Sequence, residues 1–318
     1  MLITCIIPLY KTKNEYLYET LSSVFSQDYE EIELIITDDG SDGFDKSSLE
    51  NYIEKHKSDS ITNYHIITHI KNVGTVRNMN DALRIANGEI IIPIAADDCL
   101  YDSHVITRIV DKFLYTGTDV LVCSRMKCGL VLADERRLMP HPGYVELISK
   151  SMDTPEKQYK KMAIGCIYEF ASGSAMYYRL QFMKNRGYYD EKYTLWEDGP
   201  FLAQLTRESV HIEMCYEIIS IKYRDGGISS SKKWSKIHED YCNLIKWEFL
   251  EYPDRFGKAE YCLINQRYGL QKRMNALSLY TFIHFPLAFF NLIMIKTKKL
   301  YLRQKCKLGG RSSESIQT

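Results

Sequence analysis

The sequence predicts an α/β protein: a Rossmann-like, mostly parallel central sheet with helices on both faces, plus a helical C-terminal extension. Three observations carry this. Strand-period and helix-period segments alternate through roughly the first hundred residues. The strands are continuous apolar runs, as in parallel sheets covered on both faces. After about residue 230 the strands stop, and the chain becomes helical and rich in aromatic residues.

The elements follow in order. Ile3–Ile7 is a short apolar strand stopped by Pro8. Residues Tyr16–Ser26 carry Leu17, Leu21, Val24 and Phe25 at helical spacing. Ile32–Ile36 is a strand running into Thr37-Asp38-Asp39-Gly40-Ser41. Leu49–His56 reads as a helix, Tyr64–Thr68 as a strand, and Val76–Ala86 as a helix with Thr75 as its N-cap. After Asn87-Gly88, the strand Glu89–Ile94 leads to Ala95-Ala96-Asp97-Asp98. A helix Ser103–Leu114 and a strand Asp119–Cys123 come next. From there to about residue 175 the pattern weakens at Pro140, Pro142, Gly143 and Pro155, and this stretch reads as a variable region over the site. Gly173-Ser174 turns into a strand. Trp196-Glu197-Asp198-Gly199-Pro200 opens the helix Phe201–Arg207, and a strand Ile218–Tyr223 precedes Arg224-Asp225-Gly226-Gly227.

Bulk composition narrows the function classes. The 318 residues are 45% hydrophobic and 26% charged, ordinary for a protein with a real core. The formal net charge is zero, which does not favour a nucleic-acid partner. The nine cysteines are scattered and none forms Cys-x-x-Cys, which argues against a disulfide framework or a zinc site and for a reducing compartment. The opening residues lack a basic leader and read as a first strand rather than a secretory signal.

In open α/β sheets ligands sit beyond the carboxyl ends of the strands. Asp38-Asp39 and Asp97-Asp98 both follow strand ends, so they share one rim. Adjacent carboxylates repel, and a hard divalent cation such as Mg²⁺ or Mn²⁺ relieves the repulsion while bridging to phosphate. The competing reading of Asp97-Asp98 is an N-cap or Asx turn ahead of the Ser103 helix. Asp38-Asp39 is a turn or a nucleobase acceptor. Glu197-Asp198 is a helix cap or a general base. Arg77 is a phosphate or base contact or a surface arginine. Arg224 with Gly226-Gly227 marks close approach to a ligand or a turn.

Together these pieces resemble the family-2 inverting glycosyltransferases with the GT-A fold. The matching residues are Ile6-Ile7-Pro8-Leu9-Tyr10, Leu21 to Gln27, Thr37 to Ser41, Asn72-Val73-Gly74 with Arg77-Asn78, Asn87-Gly88-Glu89, Ala96-Asp97-Asp98, Gly173-Ser174 and Trp196-Glu197-Asp198. The resemblance implies that Pro8 and Tyr10 form the turn holding the nucleotide, that Asp39 reads the base, and that Arg77 contacts base or phosphate. It implies that Asp97 meets the ribose or the metal and that Asp98 is the direct ligand of Mg²⁺ or Mn²⁺. Asp198 becomes the catalytic base, with Glu197 its neighbour and Gly173 on the diphosphate or acceptor side. Many relatives carry a histidine after the Tyr-Arg pair; here Tyr223-Arg224 has none, so Arg224 or Lys232 would assist the diphosphate. A Gln-x-x-Arg-Trp motif of processive synthases is absent, which implies one sugar added per encounter.

The expected organisation is a catalytic domain over 1–230, with a nucleotide-binding half 1–100 and an acceptor-side half 101–230. A helical region 231–318 follows. Leu277–Ile295 has no formal charge, and Lys296–Arg311 holds seven Lys/Arg and no acid. This stretch is read as an interfacial segment on anionic membrane, a packed or homo-oligomer-forming helix, or a true span. The expected donor is a nucleotide-diphosphate sugar, UDP-linked as the resemblance implies, the acceptor a glycan or lipid-linked glycan, and the setting bacterial surface-polysaccharide assembly on the cytoplasmic face of the membrane. Two rivals stay open: a sugar nucleotidyltransferase, for which Pro8-Leu9-Tyr10-Lys11-Thr12 lacks the glycine-rich loop, and a non-catalytic scaffold.

Overall fold

A computed structural model describes residues 1–165, 171–226, 236–272 and 278–313. Strand β1 (Ile3–Leu9) pairs in parallel with β2 (Ile32–Asp38) on one side. Further strands extend this group: β3 (Ile61–Thr68) outside β2, and β4 (Ile90–Pro93) on the other side of β1, all parallel. Every residue of β2 is buried, the polar Glu33, Thr37 and Asp38 included, as in a strand covered on both faces.

Helices cover both faces. Residues Leu17, Leu21 and Val24 of α1 (Asn14–Phe25), Leu49 and Ile53 of α2 (Lys46–His56), and Ile109 and Phe113 of α4 (Val105–Thr116) share one core with Ile3, Cys5 and Ile7. Between them in sequence, α3 (Thr75–Ile85) packs over β1 and β2 with Val76, Met79, Ala82 and Leu83 buried. Its N-cap is Gly74, not the expected Thr75, and no side chain caps it. Gly74 adopts φ +91, and a Cβ there would lie 2.5 Å from the Thr194 carbonyl oxygen. The helix start is therefore set by tertiary crowding that glycine alone tolerates.

The other half of the sheet is mixed. It adds β5 (Cys99–Leu100), β6 (Val120–Cys128), β7 (Glu135–Met139), β8 (Met176–Arg179) and β9 (Glu213–Tyr223). The order is β3-β2-β1-β4-β8-β6-β9-β5, with β7 beside β6. Strand β8 runs antiparallel to both neighbours, with Ile91 opposite Tyr178 and Val120 opposite Tyr178. Strands β6 and β9 are parallel, while β7 and β5 are antiparallel edges. The parallel character expected from sequence thus belongs to the β3-β2-β1-β4 half and to the β6–β9 pair.

Among the described residues, the stretch where the sequence pattern weakens contains two helices. Pro142 and Pro155 stand in the first turns of α5 (Pro142–Ser151) and α6 (Pro155–Ala163), where a missing N–H costs nothing. Helices α7 (Leu180–Asn185) and α8 (Asp198–Arg207) follow, and α9 (Lys236–Leu244), α10 (Lys258–Lys272), α11 (Leu279–His284) and α12 (Pro286–Ser313) are the last α-helices among the described residues.

The chain divides into two compact units: Met1–Met139 with Ala171–Phe201 and His211–Ser231, and Pro140–Phe170 with Leu202–Val210 and Lys232–Thr318. The first contains the whole sheet. In the second, the apolar run from 277 to 295 is broken at Phe285, and α12 begins at Pro286. No helix among the described residues is long and apolar enough to cross a membrane, which corrects the spanning alternative for this stretch. Instead, Leu279, Ile283, Leu287, Phe290 and Met294 are exposed, while Ala288 is buried and Asn291 donates to the Ile164 carbonyl at 2.9 Å.

Candidate active site

The site lies in the sheet-bearing unit and is built from loops that leave strand ends. Pro8 pairs with Thr37 and Leu9 with Asp38, so the loops after β1 and β2 start side by side. The Asp39 amide donates to the Leu9 carbonyl at 2.9 Å. Tyr10, just beyond, is exposed. The buried Asp39 carboxylate accepts the amides of Val73 at 2.6 Å and Gly74 at 3.1 Å. Burial pushes its carboxyl up, and those two hydrogen bonds oppose the rise without cancelling it. Asp39 thereby orders the Asn72-Val73-Gly74 loop ahead of α3. Arg77, in the first turn of α3, is 60% exposed, with its Nε 4.0 Å from Asp81. It is open to a ligand rather than held by the fold.

Asp97 and Asp98 leave β4 and enter β5. The β5–β9 pairing, Cys99 opposite Lys222, brings the end of β9 beside them. The backbone N–H of Arg224 donates to Oδ1 of Asp98 at 2.8 Å, and its Nε donates to the Asp97 carbonyl at 2.8 Å. The second oxygen, Asp98 Oδ2, is buried and has no hydrogen-bond partner among the described residues. Burial and the neighbouring Asp97 charge push Asp98 well above the ordinary carboxylate range, and burial raises Asp97. Two crowded carboxylates with an orphaned buried oxygen make a site suited to a cation. Among the described residues no group of three or more His, Cys, Asp and Glu forms a complete ligand set. A cation here would need oxygens from its substrate or from water.

Asp198 begins α8. Gly173 donates its amide to Oδ2 of Asp198 at 2.5 Å, and Gly199 donates to Oδ1 at 2.7 Å. A Cβ on Gly173 would stand 3.0 Å from Glu197 Oε1 and 3.2 Å from Asp198 Oδ2, so glycine is what lets this backbone approach both acids. Burial pushes Asp198 up. The Gly173 and Gly199 amides, the Arg125 charge and a Trp196 hydrogen bond pull the other way.

Arg125 escapes sequence reasoning. It lies on β6, donates to the Ser172 hydroxyl, and sits 4.7 Å from the Tyr223 ring centre. Its charge acts on both Asp98 and Asp198, and burial lowers its own pKa. An arginine inside a strand of mostly buried residues was the available signal. Glu19 and Thr20 on α1 also escaped; Thr20 donates its hydroxyl to the Asp98 carbonyl at 2.7 Å. The structure thus brings Asp97, Asp98 and Arg224 into one cluster and Gly173, Glu197 and Asp198 into another, with Arg125 coupled to both. Lys232 lies outside the described residues.

The fold is that of known GT-A enzymes. Staphylococcus aureus TarS residues 1–349, solved with UDP-GlcNAc, superposes with a TM-score of 0.60 at 19% identity, covering 92% of this chain and 81% of that one. The mannosyltransferase PcManGT from Pyrobaculum calidifontis, solved with GDP-Man and Mn²⁺, gives 0.56 at 14% identity over 98% and 80%. An uncharacterized glycosyltransferase of Rickettsia felis is 23% identical over 250 residues, 78% of this chain and 38% of its own. Another from Haemophilus influenzae is 26% identical over 136 residues, 41% of this chain and 40% of its own. The chain spans about two fifths of the length of these curated relatives. The pattern of glycosyl transferase family 2 matches residues 4–187, more than half of the 318. The chain belongs to glycosyl transferase family 2.

Proposed function

We propose that this chain is an inverting glycosyltransferase that moves one sugar from a nucleotide-diphosphate sugar, UDP-linked, to a hydroxyl of a glycan or lipid-linked acceptor. The observation that carries the reading is the buried Oδ2 of Asp98, without a hydrogen-bond partner among the described residues, beside the Asp97 carboxylate. Asp98, with Asp97, would hold Mg²⁺ or Mn²⁺, and the bound cation would neutralise the departing diphosphate. The loop after β1 with Pro8 and Tyr10, together with Asp39 and Arg77, would bind the nucleotide. The TarS complex with UDP-GlcNAc supports a UDP donor.

Asp198, ionised, takes the proton of the acceptor hydroxyl on a carboxylate oxygen. The acceptor oxygen forms its bond to the anomeric carbon while the bond to the diphosphate oxygen breaks on the opposite face, inverting the configuration. The two backbone amides hold the carboxylate in one orientation through this exchange, and Glu197 stands beside it. The setting is bacterial surface-polysaccharide assembly on the inner face of the membrane. The exposed apolar side chains of α11 and α12 and the basic run after them suit a peripheral contact with anionic lipid.

The test is UDP release from a panel of UDP-sugars, with Mn²⁺ and with EDTA. The expected result is metal-dependent turnover of at least one donor. Turnover indifferent to EDTA would sink the metal assignment. Tight binding of UDP and Mn²⁺ with no turnover of any donor would leave a scaffold.

A further inference from the structure

The Asp97–Asp98 turn is clamped by an arginine whose own charge is the natural competitor of a metal ion. Arg224 is 3% exposed. Its backbone N–H binds Asp98 Oδ1, its Nε binds the Asp97 carbonyl, and its Nη1 binds the Leu130 carbonyl. Its Nη2 pairs with Glu19 on α1, and the guanidinium lies 4.0 Å from the centre of the Tyr16 ring. Tyr16 and Glu19 are one turn apart on α1, so one helical face presents both an aromatic plate and an anion.

A guanidinium cannot shed its proton, and buried it requires an anion. The carbonyls of Asp97 and Leu130 satisfy its donors but carry no charge. Glu19, whose side chain is 55% exposed, is the carboxylate it pairs with. The next anions in reach are Asp97 and Asp98, on which the Arg224 charge already acts. Freed from Glu19, Nη2 would be drawn to the orphaned Oδ2 of Asp98 or to Asp97 and would neutralise the pair.

We propose that Glu19 is a positioning residue: by holding the Arg224 guanidinium against α1, it keeps that charge off the Asp97 and Asp98 carboxylates and leaves them for a divalent cation. This rests on the metal reading above. It also gives Arg224 a role other than direct contact with the diphosphate.

The experiment uses the full chain with Glu19→Gln and Glu19→Ala. Glu19 itself is on the surface, but its loss leaves the buried Arg224 charge without its carboxylate, so both variants should show a lowered thermal midpoint, and their folding is checked first by the far-UV spectrum. UDP binding is followed by calorimetry across a Mn²⁺ titration. The expected result is an about tenfold rise in the Mn²⁺ concentration for half-saturation, with UDP affinity at saturating Mn²⁺ within about twofold of wild type. Adding Arg224→Gln to Glu19→Gln should restore much of the Mn²⁺ affinity, because the misplaced charge is gone; a purely structural clamp predicts a further loss. Mn²⁺ dependence within twofold of wild type in both single variants would overturn the proposal. If the wild type itself shows no Mn²⁺-dependent UDP binding, the metal reading fails first. The clamp is then judged by hydrogen exchange without metal: Glu19→Ala must accelerate peptides covering Asp98–Tyr101 and Tyr223–Gly226, and unchanged rates overturn it.

Discussion

The backbone amide of Gly173 donates to Oδ2 of Asp198 at 2.5 Å, while Gly199 occupies Oδ1 at 2.7 Å. Both oxygens are thus oriented by main chain, and Trp196 adds a third hydrogen bond; since each carboxylate oxygen can accept twice, acceptor capacity remains for a substrate proton. An acid held in this way meets a substrate proton without rotamer search. It is an arrangement suited to a base whose direction matters more than its mobility.

Asp198→Asn should therefore lower transfer by about 10²–10⁴-fold, the usual worth of a positioned base. Binding of UDP with Mn²⁺, followed by calorimetry, should stay near wild type. Gly173→Ala should cost less, about tenfold in rate, because its Cβ can be relieved only by displacing Glu197 or Asp198 from contacts of 3.0 and 3.2 Å. Near-wild-type transfer by Asp198→Asn removes the base assignment.

The pH profile should show the same carboxyl. Burial raises Asp198 above the ordinary 3.8 of an aspartate, and the base works only when ionised. Transfer should therefore fall on acidification through a point higher than 3.8. The Arg125 charge opposes the rise. Replacing Arg125 with Met should move the acid limb further towards neutrality, as read from kcat against pH; an unmoved limb would separate Arg125 from the base.

Asp98→Asn should split function from stability. Donor turnover should drop about 100-fold or more, because the cation's charge stabilisation of the diphosphate is worth several kcal/mol. The metal-free protein should gain about 1 kcal/mol, or roughly 2–4 °C in thermal midpoint, because a buried carboxyl whose ionisation the fold disfavours is removed. Calorimetric unfolding in EDTA measures it. A fall in midpoint would mean that Oδ2 of Asp98 has a structural partner.

Glu33 is the opposite case, a buried acid that the fold satisfies. It accepts from the Thr4 hydroxyl at 2.6 Å and from the backbone and side-chain amides of Asn87, each at 2.8 Å. Burial pushes its carboxyl up, but those hydrogen bonds win and hold it below its ordinary 4.5. Its stabilisation is present above 4.5 and is lost as pH falls through the lower folded value. Glu33→Ala should cost on the order of 3 kcal/mol at neutral pH, measured by urea unfolding. The deficit relative to wild type should shrink as the pH approaches that window.

Phe290→Ser with Met294→Ser should reduce sedimentation with phosphatidylglycerol vesicles several-fold while leaving UDP-sugar turnover in solution unchanged. Both side chains are exposed on α12, at 53% and 64%, so their loss should not disturb the fold. Equal sedimentation of variant and wild type would end the peripheral-contact reading.

The sequence by itself determined the half of the protein whose information is local. Ile3–Ile7, Ile32–Ile36 and Glu89–Ile94 are mostly apolar without strict alternation, which reads as strands covered on both faces, and Asp39 and Asp98 follow the second and third of them onto one rim. The spacing of Leu17, Leu21 and Val24 and of Met79, Ala82 and Leu83 was enough to place α1 and α3. Tertiary structure decided what depends on distant partners. Four residues of β8 cannot encode their antiparallel direction, which comes from the strands on either side. Thr75 looked like a cap, but Gly74 starts the helix because Thr194 crowds it. The amide of Arg224 reaches Asp98 across 126 positions, and no periodicity records such a pairing. Capping and metal binding use the same aspartates in the same turns. Only the packed neighbours show that Asp198 has both oxygens held by amides while Asp98 keeps one buried oxygen without a partner among the described residues.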